Sequence, residues 1–157
     1  EHVTQERELR EKYHELMFNA LDKAMKTSQS NQLKTLRVLL EKETGEVMRR
    51  LETARRNEVK ELAKVHKDKD EVMRMKREVA STIVEKGVNE RIRLTEIYEK
   101  KKDELLRQHQ EVQNQLEEER TKAKTLLQRE YEGKLLSTRV EEETETSPTA
   151  PSPAPHQ

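Results

Sequence analysis

Proline and glycine, the residues that interrupt helices most strongly, are almost absent from the first 147 residues of this chain. The first proline is Pro148, and only Gly45, Gly87 and Gly133 precede it. Charged residues make up 41% of the chain and aromatic residues only 3%, so the bulky side chains that fill a globular core are too few. Such a chain can instead form long helices that bury a narrow apolar stripe. We therefore predict an all-α fold, an elongated antiparallel helical hairpin or coiled-coil bundle.

The balance of charge separates this chain from a typical disordered one. Disordered chains combine low hydropathy with high net charge, whereas here 32 basic residues face 32 acidic residues. No apolar run approaches the roughly 20 residues that span a bilayer, and residues 1–10 do not resemble a signal peptide. The absence of cysteine fits a reducing compartment. We expect an intracellular, cytoplasmic protein.

Apolar residues recur at intervals of three and four, as they do on the buried face of a helix. The first series is Leu9, Tyr13, Leu16, Ala20 and Ala24. The second is Leu33, Leu36, Leu40, Val47, Leu51, Ala54, Leu62 and Val65. The third is Val72, Met75, Val79 and Ile83, and the fourth is Leu94, Tyr98, Leu105, Val112, Leu116, Ala123 and Leu126. These series predict the stripe along which the helices pack.

Three leucines, Leu39, Leu106 and Leu127, fall beside this stripe. Two facing helices cover only one side of each other, so a single hairpin leaves such residues uncovered. We expect an upstream helix of a longer protein, or a second copy of the chain, to cover them.

A fold-back is predicted at residues 66–71, where the apolar pattern lapses and Asp68 or Asp70 can cap a following helix. The polar segment 27–31 predicts a kink or division in the first helical arm. These boundaries define a long-helix domain over residues 1–137. Residues 138–157, which are acidic and then rich in Pro, Ser and Thr, are predicted to be a disordered tail.

Positive charge is concentrated around the predicted turn. Residues 49–77 contain six acidic and eleven basic residues, a local charge of +5. We call these eleven residues the basic tip: Arg49, Arg50, Arg55, Arg56, Lys60, Lys64, Lys67, Lys69, Arg74, Lys76 and Arg77. Three interpretations stay open, namely a solvated and locally paired surface, a surface for anionic lipid headgroups, and a nucleic-acid surface. The last is the weakest, because no aromatic residue lies among the basic ones and the whole chain is neutral.

The sequence contains no arrangement of residues typical of a catalytic site. The five histidines share no metal-ligand spacing, and no phosphate-binding loop or nucleophile elbow is present. We expect a chain without an active site, a metal or a cofactor of its own. Its function would then be binding or scaffolding.

Several motifs resemble the C-terminal coiled-coil domain of phosphoinositide phospholipase C-β. The resemblance begins at Asn31-Gln32-Leu33-Lys34 and Glu41-Lys42-Glu43, and continues through the basic segment Arg49 to Glu61 and Lys67-Asp68-Lys69. It reaches Gln128 to Lys134, similar to the closing Glu-Tyr-x-x-Lys of that family. Arg77 to Ser81 and Asn89 to Arg91 look closest to invertebrate members.

This resemblance implies a parent that cleaves phosphatidylinositol 4,5-bisphosphate, with Ca²⁺ bound in an upstream catalytic region. The C-terminal domain of the family is a bundle of long antiparallel helices that aids membrane association and binds and stimulates Gαq. We therefore expect a non-catalytic regulatory segment, peripheral at the inner face of the plasma membrane. Its expected partners are a Gαq-type subunit and anionic phospholipid, but not nucleic acid. A cytoskeletal or trafficking coiled coil that acts only in oligomerisation is the alternative.

Overall fold

Two long helices account for most of the chain. The computed structural model describes residues 2–146, with α1 at His2–Val65 and α2 at Lys69–Thr146. No strand occurs within these described residues. The expected all-α class is therefore confirmed.

The connection between the helices lies inside the predicted range, at residues 66–68. Asp68 caps α2: its Oδ1 accepts a hydrogen bond of 3.1 Å from the backbone N–H of Asp70, and its carbonyl accepts one of 3.0 Å from Val72. This is the geometry of an N-cap, in which a short acidic side chain satisfies a backbone donor that the helix leaves free. Asp68 is thus the cap, and Asp70 lies within the first turn.

The first arm is not divided at residues 27–31, because α1 passes through this segment without interruption. A kink there stays a prediction. The side-chain amide of Gln29 donates to the backbone carbonyl of His109, at 3.3 Å, and the backbone carbonyl of Asn31 accepts a hydrogen bond from the Thr35 hydroxyl, at 2.9 Å. The segment contains no proline or glycine that would break the backbone hydrogen bonds of the helix.

In the structure α2 continues through residues 138–146, the first part of the predicted tail. The hydroxyls of Thr138 and Thr144 donate to the carbonyls of Lys134 and Val140, one turn earlier, at 3.0 and 2.9 Å. Acidic residues are acceptable helix formers, so a high glutamate content does not by itself end a helix. The rest of the predicted tail, residues 147–157, lies outside the described residues.

The chain divides into two compact units, each built from a part of α1 and a part of α2. The first contains Glu1–Met25 and Glu111–Gln157, and the second contains Lys26–Gln110. The helices run antiparallel in each unit. Glu6 meets Lys134 and Asn19 meets Arg120 in the first, whereas Gln29 meets His109 and Met48 approaches Gly87 in the second. The domain predicted over residues 1–137 thus contains parts of two such units.

The core of the first unit consists of Phe18, Leu127 and Tyr131, of which Tyr131 is completely buried. The first predicted stripe is wrong here: Leu9, Tyr13 and Leu16 are 64–71% exposed. They lie on the side of α1 opposite Phe18, because successive residues of a helix are 100° apart. Leu127, expected beside the stripe, is only 5% exposed. The two largest aromatic groups near this end, Phe18 and Tyr131, therefore determine which face of each helix turns inward.

The core of the second unit is formed around Val79, Leu94 and His109, all buried. The ring Nε2 of His109 forms a hydrogen bond of 2.7 Å with Gln32 Oε1, so this polar group is satisfied inside the unit. Gly87 is also buried, and a Cβ placed on it would lie 3.6 Å from Met48 Sδ. Leu39 and Leu106 are 49% and 43% exposed, as their position beside the stripe predicted.

Candidate functional site

The basic tip lies entirely in the second unit, on the last turns of α1, the connecting loop and the first turns of α2. Nine of its eleven residues are exposed, and only Arg55 and Lys76 are half-buried. The chain reverses direction at residues 66–68, which brings the basic residues of α1 and those of α2 to the same end of this unit. The structure therefore gathers the residues that the sequence placed on either side of the turn.

Four basic side chains of α1 share one exposed face. Arg49, Arg56, Lys60 and Lys64 follow one another at intervals of seven, four and four residues. Such intervals keep side chains on one side of a helix. Met48 and Leu51, which contact the Gly87 position, lie on the other side of α1. The result is a cationic ridge that faces away from α2.

Glu52 neutralises part of the tip. It accepts hydrogen bonds of 3.0 and 2.5 Å from Nε and Nη2 of Arg55, and its Oε1 lies 3.4 Å from Arg56 Nε. The Arg55 hydrogen bonds hold the pKa of the Glu52 carboxyl below its usual range. The same hydrogen bonds raise the pKa of Arg55. Arg55 is therefore a locally paired residue and contributes less to the outward field of the tip.

Most of the other basic residues have no carboxylate partner within 4 Å. Lys64 lies 3.5 Å from Glu61, and Arg74 lies 3.9 Å from Glu71, both on the same helix as their partner. Within the described chain, seven residues of the tip form no ion pair within 4 Å: Arg49, Arg50, Lys60, Lys67, Lys69, Lys76 and Arg77. Local pairing, one of the three interpretations of the tip, thus applies to only part of it.

The arrangement is suited to attracting an extended anionic surface. It offers exposed cations with no Phe, Tyr or Trp between them. In the region that the structure describes, no cluster of His, Asp and Glu is arranged to hold a metal ion. Over the same residues, neither helix has a segment both long enough and apolar enough to cross a bilayer.

A second feature was not anticipated from the sequence. In the first unit, a groove of about 380 Å³ is lined by Arg7, His14, Phe18, Arg120, Lys124 and Leu127, among others. Phe18, the only phenylalanine of the chain, is the sequence feature that could have indicated this groove. Its partners lie a hundred residues away on α2, so their approach to Phe18 depends on the pairing of the helices.

Comparison with known proteins identifies the origin of these helices. The family profile described as PLC-beta C terminal matches residues 1–152. The chain belongs to the PLC-β C-terminal family. The motifs on both helices that resemble this family are therefore explained by membership of it.

A curated relative of the PLC-β C-terminal chain comes from Drosophila melanogaster. It is 57% identical over 100 residues, which is 64% of this chain, and is named 1-phosphatidylinositol 4,5-bisphosphate phosphodiesterase classes I and II. The match covers only 8% of the length of that relative. An insect relative agrees with the resemblance of residues 77–91 to invertebrate members. No solved structure gave a significant match.

Proposed function

We propose that this chain is the non-catalytic docking segment of a longer phosphoinositide phospholipase C-β, and that its basic tip binds the anionic inner face of the plasma membrane. The observation that carries the proposal is the group of seven exposed or half-buried basic residues without a carboxylate partner within 4 Å at one end of the second unit. Membership of the PLC-β C-terminal family supports the same function.

The energetics favour collective binding over any single contact. Each basic residue close to an anionic leaflet contributes about 1 kcal/mol, and this contribution falls off within a Debye length. Several such residues together are needed to hold a protein at the surface. Binding should therefore weaken as salt rises, and single substitutions should have small effects.

Vesicle sedimentation with a matched pair of variants tests the proposal. The first variant replaces Arg49, Lys60 and Arg77, all exposed and without an ion pair within 4 Å, by Glu. The control variant replaces Lys12, Lys23 and Arg129, exposed residues of the first unit, by Glu. Both change the net charge equally. We expect the first variant, but not the control, to lose most of its binding to phosphatidylserine vesicles.

Equal binding by the two variants would mean that the tip is only a solvated surface. If neither the wild-type nor the control protein bound the vesicles, the result would favour the alternative function, a coiled coil that acts only in oligomerisation.

We further propose that a Gαq-type subunit is a protein partner, on the strength of family membership. Cleavage of phosphatidylinositol 4,5-bisphosphate, the activity in the name of the Drosophila relative, belongs in this proposal to a Ca²⁺-binding catalytic region elsewhere in the parent. Capture of activated Gαq by the immobilised chain, compared with capture of the GDP-bound form, tests the partner. Equal or absent capture of the two forms would contradict it.

We also propose that the exposed apolar residues of the chain are buried either by self-association or by an upstream helix of the parent. The exposed Leu9, Tyr13 and Leu16 form an apolar row on α1, and Leu39 and Leu106 add exposed apolar area in the second unit. Sedimentation equilibrium should show oligomers at high concentration. A folded monomer at all concentrations would exclude self-association and leave an upstream helix as the segment that covers these residues.

A further inference from the structure

One side of α2 in the second unit carries exposed apolar residues between two arginines. Val84 and Val88 are 65% and 52% exposed. Arg77, Val84, Val88 and Arg91 follow one another at intervals of seven, four and three residues, which keeps their side chains on one side of the helix. We call these four residues the Val84 face. It is continuous with the basic tip, to which Arg77 belongs.

The apolar surface extends from the Val84 face onto α1. A groove of about 410 Å³ between the helices is lined by Met48 and Leu51 of α1 and by Val84 and Val88 of α2, among others. Gly87, which has no side chain, also lines this groove, and a Cβ placed on it would lie 3.6 Å from Met48 Sδ. The face is therefore wider than one row of residues on a single helix.

The charges that remain available beside these apolar residues are positive. Glu52 lines the groove, but its carboxylate accepts a hydrogen bond of 3.0 Å from Arg55 Nε and lies 3.4 Å from Arg56 Nε. In contrast, Arg77 and Arg91 are exposed, and neither forms an ion pair within 4 Å among the residues that the structure describes. An occupant of this face should therefore combine an apolar part with negative charge.

An anionic lipid leaflet has this combination over the length of the face. Helices that lie in the membrane interface bury apolar side chains about 5–10 Å into the boundary between headgroups and acyl chains. The aliphatic stem of an arginine allows its guanidinium to reach the phosphates while its neighbours lie deeper. Arg77 and Arg91 are about 21 Å apart along α2, with Val84 and Val88 between them. The spacing thus suits an extended surface of repeated phosphates.

We propose that the Val84 face enters the anionic leaflet, with Val84 and Val88 against the upper parts of the acyl chains and Arg77 and Arg91 bound to lipid phosphates. This inference rests on the proposed binding of the basic tip to the membrane, and it specifies which side of the second unit meets the lipid. Salt screens the attraction between charges but does not weaken the burial of apolar side chains. Part of the binding should therefore persist at high salt.

A fluorescent label tests the insertion directly. The chain contains no cysteine, so Val88→Cys can carry an environment-sensitive fluorophore at a single position. Asn89→Cys is the matched control, because Asn89 is exposed and adjacent but lies 100° around the helix. With phosphatidylserine vesicles we expect a blue shift at position 88, and quenching there by lipids that carry a nitroxide on the acyl chain. The label at position 89 should change little.

The other outcomes separate this inference from the function on which it rests. If the protein sedimented with the vesicles while the label at position 88 stayed in water, the inference would be overturned and the proposed function would stand. Failure to sediment would overturn both. A blue shift that needed no vesicles and grew with protein concentration would mean that a second copy of the chain covers the Val84 face.

A double variant, Val84→Asn with Val88→Asn, provides a second measurement. Both positions are exposed, so the fold should remain intact. We expect about tenfold weaker vesicle binding and loss of the part that persists at high salt. Val112→Asn with Val140→Asn, at positions of the first unit that are 48% and 53% exposed, is the matched control and should change neither. Equal affinity of the two double variants would show that the valines do not enter the membrane.

Discussion

Arg10 and Glu130 join the two helices of the first unit, with Arg10 Nη1 donating a hydrogen bond of 2.7 Å to Glu130 Oε2. Lys134 also lies 3.5 Å from Glu130 and 3.4 Å from Glu6. The guanidinium of Arg10 and the ammonium of Lys134 lie 5.5 and 4.8 Å from the centre of the buried Tyr131 ring. These five residues, Glu6, Arg10, Glu130, Tyr131 and Lys134, form what we call the Tyr131 cluster.

The cluster predicts a dependence of stability on pH. Hydrogen bonding to Arg10, and then to Lys134, lowers the pKa of Glu130. A carboxyl with a lowered pKa in the folded state stabilises the protein above its usual pKa of about 4.3, and this contribution is lost as pH falls through the folded value. Arg10→Gln should therefore reduce the free energy of unfolding more at pH 7 than at pH 3.

Urea unfolding at the two pH values, with NMR titration of Glu130, provides the measurement. The pKa of Glu130 should rise in the variant. Arg93→Gln is a suitable control, because its pair with Glu90, at 2.8 Å, lies within one helix. If Arg10→Gln had the same effect at both pH values, the ion pair would not contribute to stability.

Removal of the Tyr131 ring should be strongly destabilising. Tyr131 has no exposed surface, and replacing a buried aromatic residue by alanine typically costs about 3–5 kcal/mol. Tyr131→Phe should cost only about 1 kcal/mol, since it removes just the hydroxyl that accepts a hydrogen bond from Arg10 at 3.4 Å. Tyr13→Ala, at a position 64% exposed, is the control and should have little effect in urea unfolding of the monomer. Similar losses for Tyr13→Ala and Tyr131→Ala would contradict the assigned core.

Two glycines should be replaceable with a gain in stability. Neither has a positive φ, and a Cβ on Gly133 would meet nothing within 4 Å. Alanine there should raise the free energy of unfolding by about 1 kcal/mol, the difference in helix propensity. A Cβ on Gly87 would lie 3.6 Å from Met48 Sδ and 3.8 Å from Leu51 Cδ1, ordinary packing distances, so Gly87→Ala should also stabilise.

Thermal unfolding of the two alanine variants measures these gains. Gly87→Leu is the informative comparison, because a larger side chain must displace Met48 and Leu51 and should destabilise. A loss of stability in Gly133→Ala would mean that another chain approaches this glycine closely.

Asp68→Ala should remove the cap of α2 and cost about 1 kcal/mol. Asp68→Asn should cost little, because the amide oxygen can accept the same hydrogen bond from the Asp70 N–H. Asp103→Ala, at an exposed position inside α2, provides the control for loss of a carboxylate. Urea unfolding should rank Asp68→Ala as the least stable of the three; any other order would contradict the cap.

Features set by local sequence could be predicted. The turn and its cap depend on a few neighbouring residues around Asp68, and the helices depend on the scarcity of proline and glycine. The stripe of the second unit was readable in part, since Val79 and Leu94 lie on it and are buried, whereas Val65, at the end of α1, is 71% exposed.

The inward face of the first unit could not be predicted, because α1 carries two apolar faces there. Leu9, Tyr13 and Leu16 form the longer periodic row, yet Phe18 lies inside and that row is exposed. The choice between faces depends on Tyr131 and Leu127, which come from the other helix. The groove around Arg120 escaped prediction for the same reason, whereas the basic tip was visible as a run of charges in the sequence.

The three-residue connection at residues 66–68 also bears on how the chain folds. Contacts beside it close short segments of chain, whereas the Gln29–His109 and Arg10–Glu130 contacts join residues 80 and 120 positions apart. Closing a longer segment costs more entropy, and contacts between distant residues slow folding. We therefore expect the helices to pair first next to the loop and last at the Tyr131 cluster. Substitutions at Val79 should then slow folding, and those at Tyr131 should mainly speed unfolding, a distinction that stopped-flow kinetics can measure.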